Sequence, residues 1–472
     1  MKRKKFTVEN LPVTGYAAEG KSIARIEGKV IFIEGAVPGD VADVFITRNK
    51  KDWAEGKAVK IKEFSKERVT PFCIHFGVCG GCKWQMLPYE KQLEYKEQEA
   101  RDAFKRIGKL TEVPVLKIIG SEQTIHYRNK LEFTFSNKKY LPAEELAALG
   151  DDDWPGGALG YHVPRLYDKI IDIYECWLMD DVNNAIRNSL REYAKNYNLA
   201  YYDIKAHSGW LRNIIIRNCT TGELMVNLVF GHDDVEQREN ICNYLLEKVP
   251  QITTLLYTIN PKWNDSIYDL DPKIVSGKGY VIEKLEKLSF KISPKSFFQT
   301  NTRQAEILYN VVKDFAMLSG NEIVYDLYCG TGSIGIFLSQ FAKKIIGVDV
   351  IDDAIRDAKE NAELNALDHT AFFAGDVIDI CNDEFFESHG RPDIIIVDPP
   401  RAGLHAKLVG KIIEITPPKV VYVSCNVATQ ARDLQLLSER FIVEKLQPVD
   451  MFPHTHHIEC VALLTLRSEK LS

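Results

Sequence analysis

Short runs in which apolar and polar residues alternate open the chain. Between residues 6 and 64 they read FTVENL, SIARI, KVIFI, DVADVFI and AVKIKEF, separated by Gly15, Gly20, Gly28, Gly35, Gly39 and Gly56. Strands this short, broken by glycine turns, predict a small OB-like β-barrel. The period then changes. Pro88 opens PYEKQLEYKEQEARDAFKRIG, where Tyr89, Leu93, Ala100, Phe104 and Ile107 fall on one helical face and proline suits the first turn. Residues 113–290 predict a mixed α/β segment with strand-like runs KLEFTF, RNIIIRN and ELMVNLVF, interrupted by AALGDDDWPGGALG, which reads as a surface loop. From about residue 290 the strands EIVYDL, KIIGVD, DIIIVD and VVYVSC alternate with helical stretches, the pattern of a parallel sheet covered on both faces. The fold class is therefore α/β, with expected domains at 1–65, 66–290 and 291–472.

Length and charge agree with three units. The chain has 472 residues, and one domain per ~150 residues gives about three. Hydrophobic residues make up 45% and charged residues 27%, so a disordered chain is excluded. No stretch reaches the ~18 consecutive apolar residues of a membrane span. The start, MKRKKFTVEN, lacks the apolar core of a signal peptide, so a cytoplasmic protein without membrane contact is expected. Net charge is −6, but residues 1–70 hold 15 Lys+Arg against 10 Asp+Glu. A basic barrel on an acidic remainder points to RNA binding, although a solvated lysine-rich surface explains the same imbalance.

The first C-terminal strand runs into Asp326-Leu-Tyr-Cys-Gly-Thr-Gly-Ser-Ile-Gly335, in which Gly330, Gly332 and Gly335 form G-x-G-x-x-G. Glycines there let the backbone turn tightly and approach a ligand. Strand KIIGVD ends in Asp349, whose carboxylate suits a ribose diol. Those features fit a dinucleotide or S-adenosylmethionine equally. Asp326, Asp376 in AGDV and Asp398 in VDPPRAG favour the second, because carboxylates at strand ends attract a sulfonium and repel a pyrophosphate. Acidic helix caps would account for any one of them.

Cys425, in VVYVSCNVATQARD, stands just past the fourth strand on the edge that carries the glycine loop. A lone thiol is most often an inert core residue. The functional reading needs chemistry that demands a thiolate, and methylation of a uracil at C5 is such a case. Thiolate addition at C6 turns the ring into an enolate that can attack a methyl sulfonium. A base must then take the C5 proton, and Glu459, in MFPHTHHIECVALL, is placed for it. The neighbouring His454, His456 and His457 do not give a closed zinc ligand set.

Cys73, Cys79 and Cys82 share one short loop, FCIHFGVCGGCKWQ, and Cys176 lies 94 residues beyond Cys82. Three local thiols and one distant thiol suit an iron–sulfur cluster better than zinc, which usually takes two Cys-x-x-Cys-like pairs. Spacing alone also allows zinc or no metal, and it determines Cys176 poorly.

Together these residues resemble the RNA 5-methyluridine methyltransferases, specifically the type with a TRAM domain and an iron–sulfur cluster. The resemblance covers nearly the whole chain. It places TRAM over 1–65, the cluster loop at FCIHFGVCGGCKWQ, and a Rossmann-like methyltransferase domain from SFFQTN to HHIECVALL. It implies S-adenosylmethionine contacted by Gln299, Tyr328, Asp349, Asp376 and Asp398, alongside Gly330 and Gly332 of the glycine loop. It implies a [4Fe-4S] cluster on Cys73, Cys79, Cys82 and Cys176, with Cys425 as nucleophile and Glu459 as base. Asp398 would also orient the uracil. The implied substrate is 23S rRNA, with tRNA as the alternative, and a monomer is the default. One position departs from the family's Ser-Cys-Asn-Pro: Val427 follows Asn426. That proline shapes a turn, so activity is expected to survive.

Three rival classes predict otherwise. A non-catalytic RNA-binding protein has no use for Cys425 and Glu459. A redox protein would bind NAD instead of S-adenosylmethionine. An amino-group methyltransferase needs no thiol and would show an aromatic residue after Asp398-Pro-Pro, where Arg401 stands.

Overall fold

A computed structural model describes residues 6–148 and 156–468. Its first sheet uses β1 (Thr7–Pro12), β2 (Gly15–Ala17), β3 (Lys21–Ile26), β4 (Lys29–Glu34), β5 (Val41–Asn49) and β6 (Trp53–Glu63), in the order β1-β5-β6-β4-β3-β2. Inward-facing Leu11, Ala24, Ile31, Ile33, Val44 and Ile46 form its core. Buried Asp40 takes a bidentate contact from Arg68, at 2.7 and 2.8 Å, and ties the exit of this unit to its turns.

The helix α1 (Tyr89–Arg106) follows the cysteine loop. Its buried stripe differs from the expected one. Gln92, Lys96, Ala100 and Phe104 are enclosed, whereas Ile107 is 42% exposed. The two polar members have hydrogen-bonding partners inside the protein, and a count of apolar residues cannot register that. Phe104 joins the core of the C-terminal sheet, and residues 114–119 hydrogen-bond along one of its strands.

The middle sheet combines β7 (Lys130–Ser136), β8 (Ala158–Val163), β9 (Leu166–Asp172), β10 (Leu211–Asn218), β11 (Leu224–Phe230), β12 (Thr254–Ile259) and β13 (Lys273–Ser276) in the order β13-β12-β11-β10-β7-β8-β9. Beside the short α2 (Ala143–Ala147), its helices are α3 (Val182–Asn196) and α4 (Val235–Lys248). Ile186, Leu190, Ile241 and Leu245 of α3 and α4 pack on Phe133, Ile214, Val226 and Leu228 of one sheet face. The expected DDDWPGG loop falls largely on 149–155, outside the described residues.

A hairpin, β14 (Val281–Leu285) and β15 (Leu288–Ile292), leads into the last unit. There α5 (Thr302–Ala316), β16 (Ile323–Leu327), α6 (Ser333–Ser339), β17 (Lys344–Asp349), α7 (Asp352–Leu364) and β18 (Thr370–Ala374) alternate. Next come α8 (Val377–Ile380), α9 (Asp383–His389), β19 (Ile394–Val397), α10 (Ala406–Ile415), β20 (Lys419–Ser424) and α11 (Val427–Leu437), then β21 (Phe441–Val449) and β22 (Glu459–Leu466). The sheet order is β18-β17-β16-β19-β20-β22-β21. The first five strands are parallel, as expected, but β22 runs antiparallel to both β20 and β21. Alternate residues of these strands enter two cores. Val324, Ile345 and Ile396 meet α5–α7, while Tyr325, Ile346, Ile395 and Tyr422 meet α10, α11 and α1. Among the described residues, no helix is long and apolar enough to cross a membrane.

Candidate active site

Strand order reverses between β16 and β19, and in an open α/β sheet the crevice at such a point lies beyond the strands' carboxyl ends. Tyr328, Asp349 and Asp398 each stand one residue past the paired Leu327, Val348 and Val397, so the register sets them in one row. They line a cleft of about 750 Å³ together with Gln299 and Gly330, a volume suited to a cofactor-sized ligand. A smaller recess of about 290 Å³ shares Tyr328 and Asp349 and adds Asp376.

The loop is held from within. Asp349 accepts the Gly330 amide at 3.0 Å and the Ile351 amide at 2.9 Å. Tyr328 has φ 63°, uncommon for an aromatic residue and a sign of a constrained ligand loop. Gly332 does not line the cleft but supports it from behind. Its φ is +76°, and a Cβ there would lie 2.9 Å from the Phe372 ring. From the middle sheet, Asn129 donates its backbone N–H to the Thr300 carbonyl and its Nδ2 to that of Gln299, both at 2.8 Å, which fixes Gln299 at the rim.

Asp326 departs from expectation. Strand alternation turns it inward, fully buried, where it accepts the Gly335 amide at 2.8 Å. It anchors the start of α6 and does not face the cleft; burial pushes its carboxyl up to about 7. The attraction for a cation comes from elsewhere. Asp349, Asp353, Asp357, Glu360 and Asp398 line the cleft against Lys291, Lys295 and Arg356. The bases contact Glu360 and Asp353, and Asp349 and Asp398 have no basic side chain at salt-bridge distance among the described residues.

Cys425 and Glu459 come together through strand register. The antiparallel ladder ends at the pair Ser424↔Cys460, so Cys425 leaves β20 where Glu459 opens β22, and the two groups lie close enough to interact electrostatically. Burial first, then Glu459 and Asp398, push the Cys425 thiol up to about 11, opposed by Arg401. Burial, then Asp398, hold the Glu459 carboxyl well above the ordinary range, again opposed by Arg401. Burial alone raises Asp398 to about 7. Asp398 therefore belongs to both the cleft and the thiol–carboxyl pair.

Arg401, in DPPRAG, joins the site although its motif alone assigns it no role there. Its carbonyl accepts from Asn426 Nδ2 and the Thr429 hydroxyl, both at 3.2 Å, and its guanidinium reaches His457 at 3.4 Å. Asn426 also caps α11 by accepting the Ala428 amide at 3.0 Å. Val427 takes the first helical position, where the family's proline would also fit. Of the three histidines, His454 turns toward Gln92 and His457 toward Arg401, with the His456 ring 4.2 Å from that of His457.

Comparison with known proteins adds the chemistry's class. Residues 268–467 match the family described as tRNA (Uracil-5-)-methyltransferase, and residues 2–59 match the TRAM domain. A Bacteroides thetaiotaomicron protein named an uncharacterized RNA methyltransferase is 49% identical over 454 residues, covering 96% of this chain and all of its own. This chain belongs to the RNA uracil-5-methyltransferase family. A Porphyromonas gingivalis RNA methyltransferase is 47% identical over 97% of this chain and 100% of its own. Among solved structures, the Pyrococcus abyssi tRNA (uracil-54, C5)-methyltransferase, in complex with S-adenosyl-L-homocysteine, superposes with a TM-score of 0.73 at 28% identity. That likeness covers 96% of this chain and 99% of the other.

In this uracil-5-methyltransferase the cysteine loop lines a separate cavity. Cys73, Cys79, Cys82 and Cys176 all line one cavity, with Tyr161 and Trp177 among its walls. Burial is the main cause that raises the Cys79 and Cys82 thiols to about 12, and the neighbouring thiols add to it. Among the described residues, no group of three or more His, Cys, Asp or Glu is gathered closely enough to hold a metal ion.

Proposed function

We propose that this enzyme transfers a methyl group from S-adenosylmethionine to C5 of a uridine in RNA, most directly 23S rRNA, through a covalent bond between Cys425 and C6. The observation that carries the reading is that the end of the β20–β22 ladder brings Cys425 and Glu459 together beside Asp398, which lines the cofactor-sized cleft. When bound, S-adenosylmethionine supplies an electrophilic methyl carbon on a cationic sulfur. Asp349 is placed for the ribose diol, Gln299 and Tyr328 for the rim, Gly330 for close backbone approach, and Asp376 for the base in the adjoining recess. Gly332 keeps the loop in the shape this needs.

The target uridine leaves its stack to reach the site. The Cys425 thiolate bonds to C6, which places electron density on C5 and O4 and makes C5 nucleophilic. Once C5 carries the methyl group, Glu459 takes its proton, the C5=C6 bond re-forms, and the sulfur–C6 bond breaks to release the thiolate. Asp398 orients the uracil. The raised thiol and carboxyl are consistent with a site whose acidic groups ionise more readily once a positive charge sits beside Asp398.

The four cysteines line one cavity, the arrangement from which we infer a site for a [4Fe-4S] cluster. Cys73, Cys79, Cys82 and Cys176 would hold it, in a structural role. The N-terminal unit, whose first 70 residues hold 15 Lys+Arg against 10 Asp+Glu, grips the RNA. A tRNA substrate is favoured instead by the likeness to a tRNA (uracil-54, C5)-methyltransferase. Incubating the enzyme with methyl-labelled S-adenosylmethionine and total RNA from a deletion strain, then mapping the label, decides between them. Label as 5-methyluridine in 23S rRNA supports the first reading, label in tRNA the second, and no label in RNA contradicts both.

A further inference from the structure

We propose that α1 and the cysteine loop set the position of Glu459 through a strap on residues 450–457, making Gln92, Lys96 and Asp450 positioning residues for proton removal. The inference rests on the reading of Glu459 as the base. Strand β21 ends at Val449 and β22 begins at Glu459, so the chain between them has no ladder of its own. Its placement comes from groups that arrive from elsewhere, among them the Ile119 carbonyl, which accepts the Asp450 amide at 2.8 Å. Lys96 Nζ donates to Asp450 Oδ1 at 2.6 Å and to the Phe452 carbonyl at 3.2 Å, and the Lys96 and Asp450 side chains are both fully enclosed. Tyr89 donates its hydroxyl to Asp450 Oδ2 at 2.9 Å. Gln304 and Asn301 of α5 and its cap donate to the Asp450 and Met451 carbonyls, and Tyr127 to that of Pro453.

Gln92 joins this strap to the cysteine loop. Its Nε2 donates to the Trp84 and Leu87 carbonyls at 3.1 and 3.0 Å, and its Oε1 accepts the His454 amide at 2.8 Å. The amides of Lys83 and Trp84, directly after Cys82, donate in turn to the His454 carbonyl at 2.8 and 3.1 Å. His454 has φ 64°, so the chain is bent there into a left-handed conformation only five residues before Glu459. A shift of the cysteine loop therefore moves the segment that leads into the base. A buried ion pair is weak as a source of stability alone, since apolar residues of similar size often do as well. What it supplies here is a single position for the loop.

The chemistry separates positioning from mere folding. Addition of Cys425 and methylation at C5 precede the step that uses Glu459. A base displaced by about 1 Å loses roughly a hundredfold in rate, so the methylated Cys425–C6 species would accumulate.

The test uses the full-length enzyme, methyl-labelled S-adenosylmethionine and an RNA that the wild type methylates. Gln92→Ala is compared with a paired Lys96→Met, Asp450→Asn variant, which leaves no buried unpaired charge, and with Glu459→Gln as benchmark. The expected result is turnover lowered about ten- to hundredfold, one equivalent of methyl transfer retained in the first turnover, and a labelled, SDS-stable RNA–protein species as in Glu459→Gln. Wild-type turnover in the folded variants would overturn the proposal, as would a first turnover that falls as far as the steady state. If Glu459→Gln itself accumulates no such species, the base assignment fails and the proposal falls with it.

Discussion

Alkylation of Cys425 by iodoacetamide, followed across pH in the free enzyme, reads the electrostatics of the site directly. Burial, Glu459 and Asp398 raise this thiol to about 11 against the partial help of Arg401. At pH 7 only about one molecule in ten thousand then carries the thiolate, against roughly three in a hundred for an unperturbed cysteine. The alkylation rate, assigned to Cys425 by peptide mass spectrometry, should rise about tenfold per pH unit through pH 9 and level off only near 11. Asp398 is raised to about 7, so it is already ionised where the thiol titrates. Asp398→Asn should therefore lower the midpoint by on the order of one unit, the effect of one nearby charge at an effective dielectric of about 20. Arg401→Gln should raise it. S-adenosylmethionine should lower it further than S-adenosylhomocysteine, which lacks the sulfonium charge. A plateau at pH 7–8 in the free wild-type enzyme, or no movement with either substitution, would refute this account of the thiol.

Three further outcomes follow from the geometry. Asp326 keeps its proton to about pH 7 when folded and releases it near 4 when unfolded, so the folded state binds more protons in that window. Its share of stability falls as pH rises from about 4 to 7, by up to about 4 kcal/mol, and Asp326→Asn should flatten that slope in thermal unfolding; an unchanged slope would exclude this origin. Gly332→Ala forces a left-handed residue, costing about 1–2 kcal/mol, and presses on Phe372; calorimetry should show weaker S-adenosylmethionine binding, and wild-type affinity would contradict the loop's role. Anaerobically prepared protein should contain iron and acid-labile sulfide, both lost in Cys79→Ser; their absence from the wild type would remove the cluster.

The C-terminal strands were legible because burial on both faces leaves nearly continuous apolar runs such as IIIV and VVYV. The antiparallel edge was not, since FIVEKLQPV mixes Glu444, Lys445, Gln447 and Pro448 into the run. Motif spacing led to Asp349, Asp398, Cys425 and Glu459, but only the pairing of β20 with β22 brings the last two together. Asp326 turns inward, against the expectation, because position at a strand end does not say which way alternation points a side chain. The polar stripe of α1 was invisible for a different reason. Lys96 and Asp450 are 354 residues apart, and either one alone reads as a surface charge.

Tritium placed at uridine C5 of the substrate RNA tests the central claim most directly. Methyl transfer to C5 through Cys425 and Glu459 must release that tritium, one atom for each methyl group incorporated from labelled S-adenosylmethionine. The account predicts matched release and incorporation in the wild type and neither in Cys425→Ala. Methyl incorporation without tritium release, or undiminished in Cys425→Ala, would contradict it.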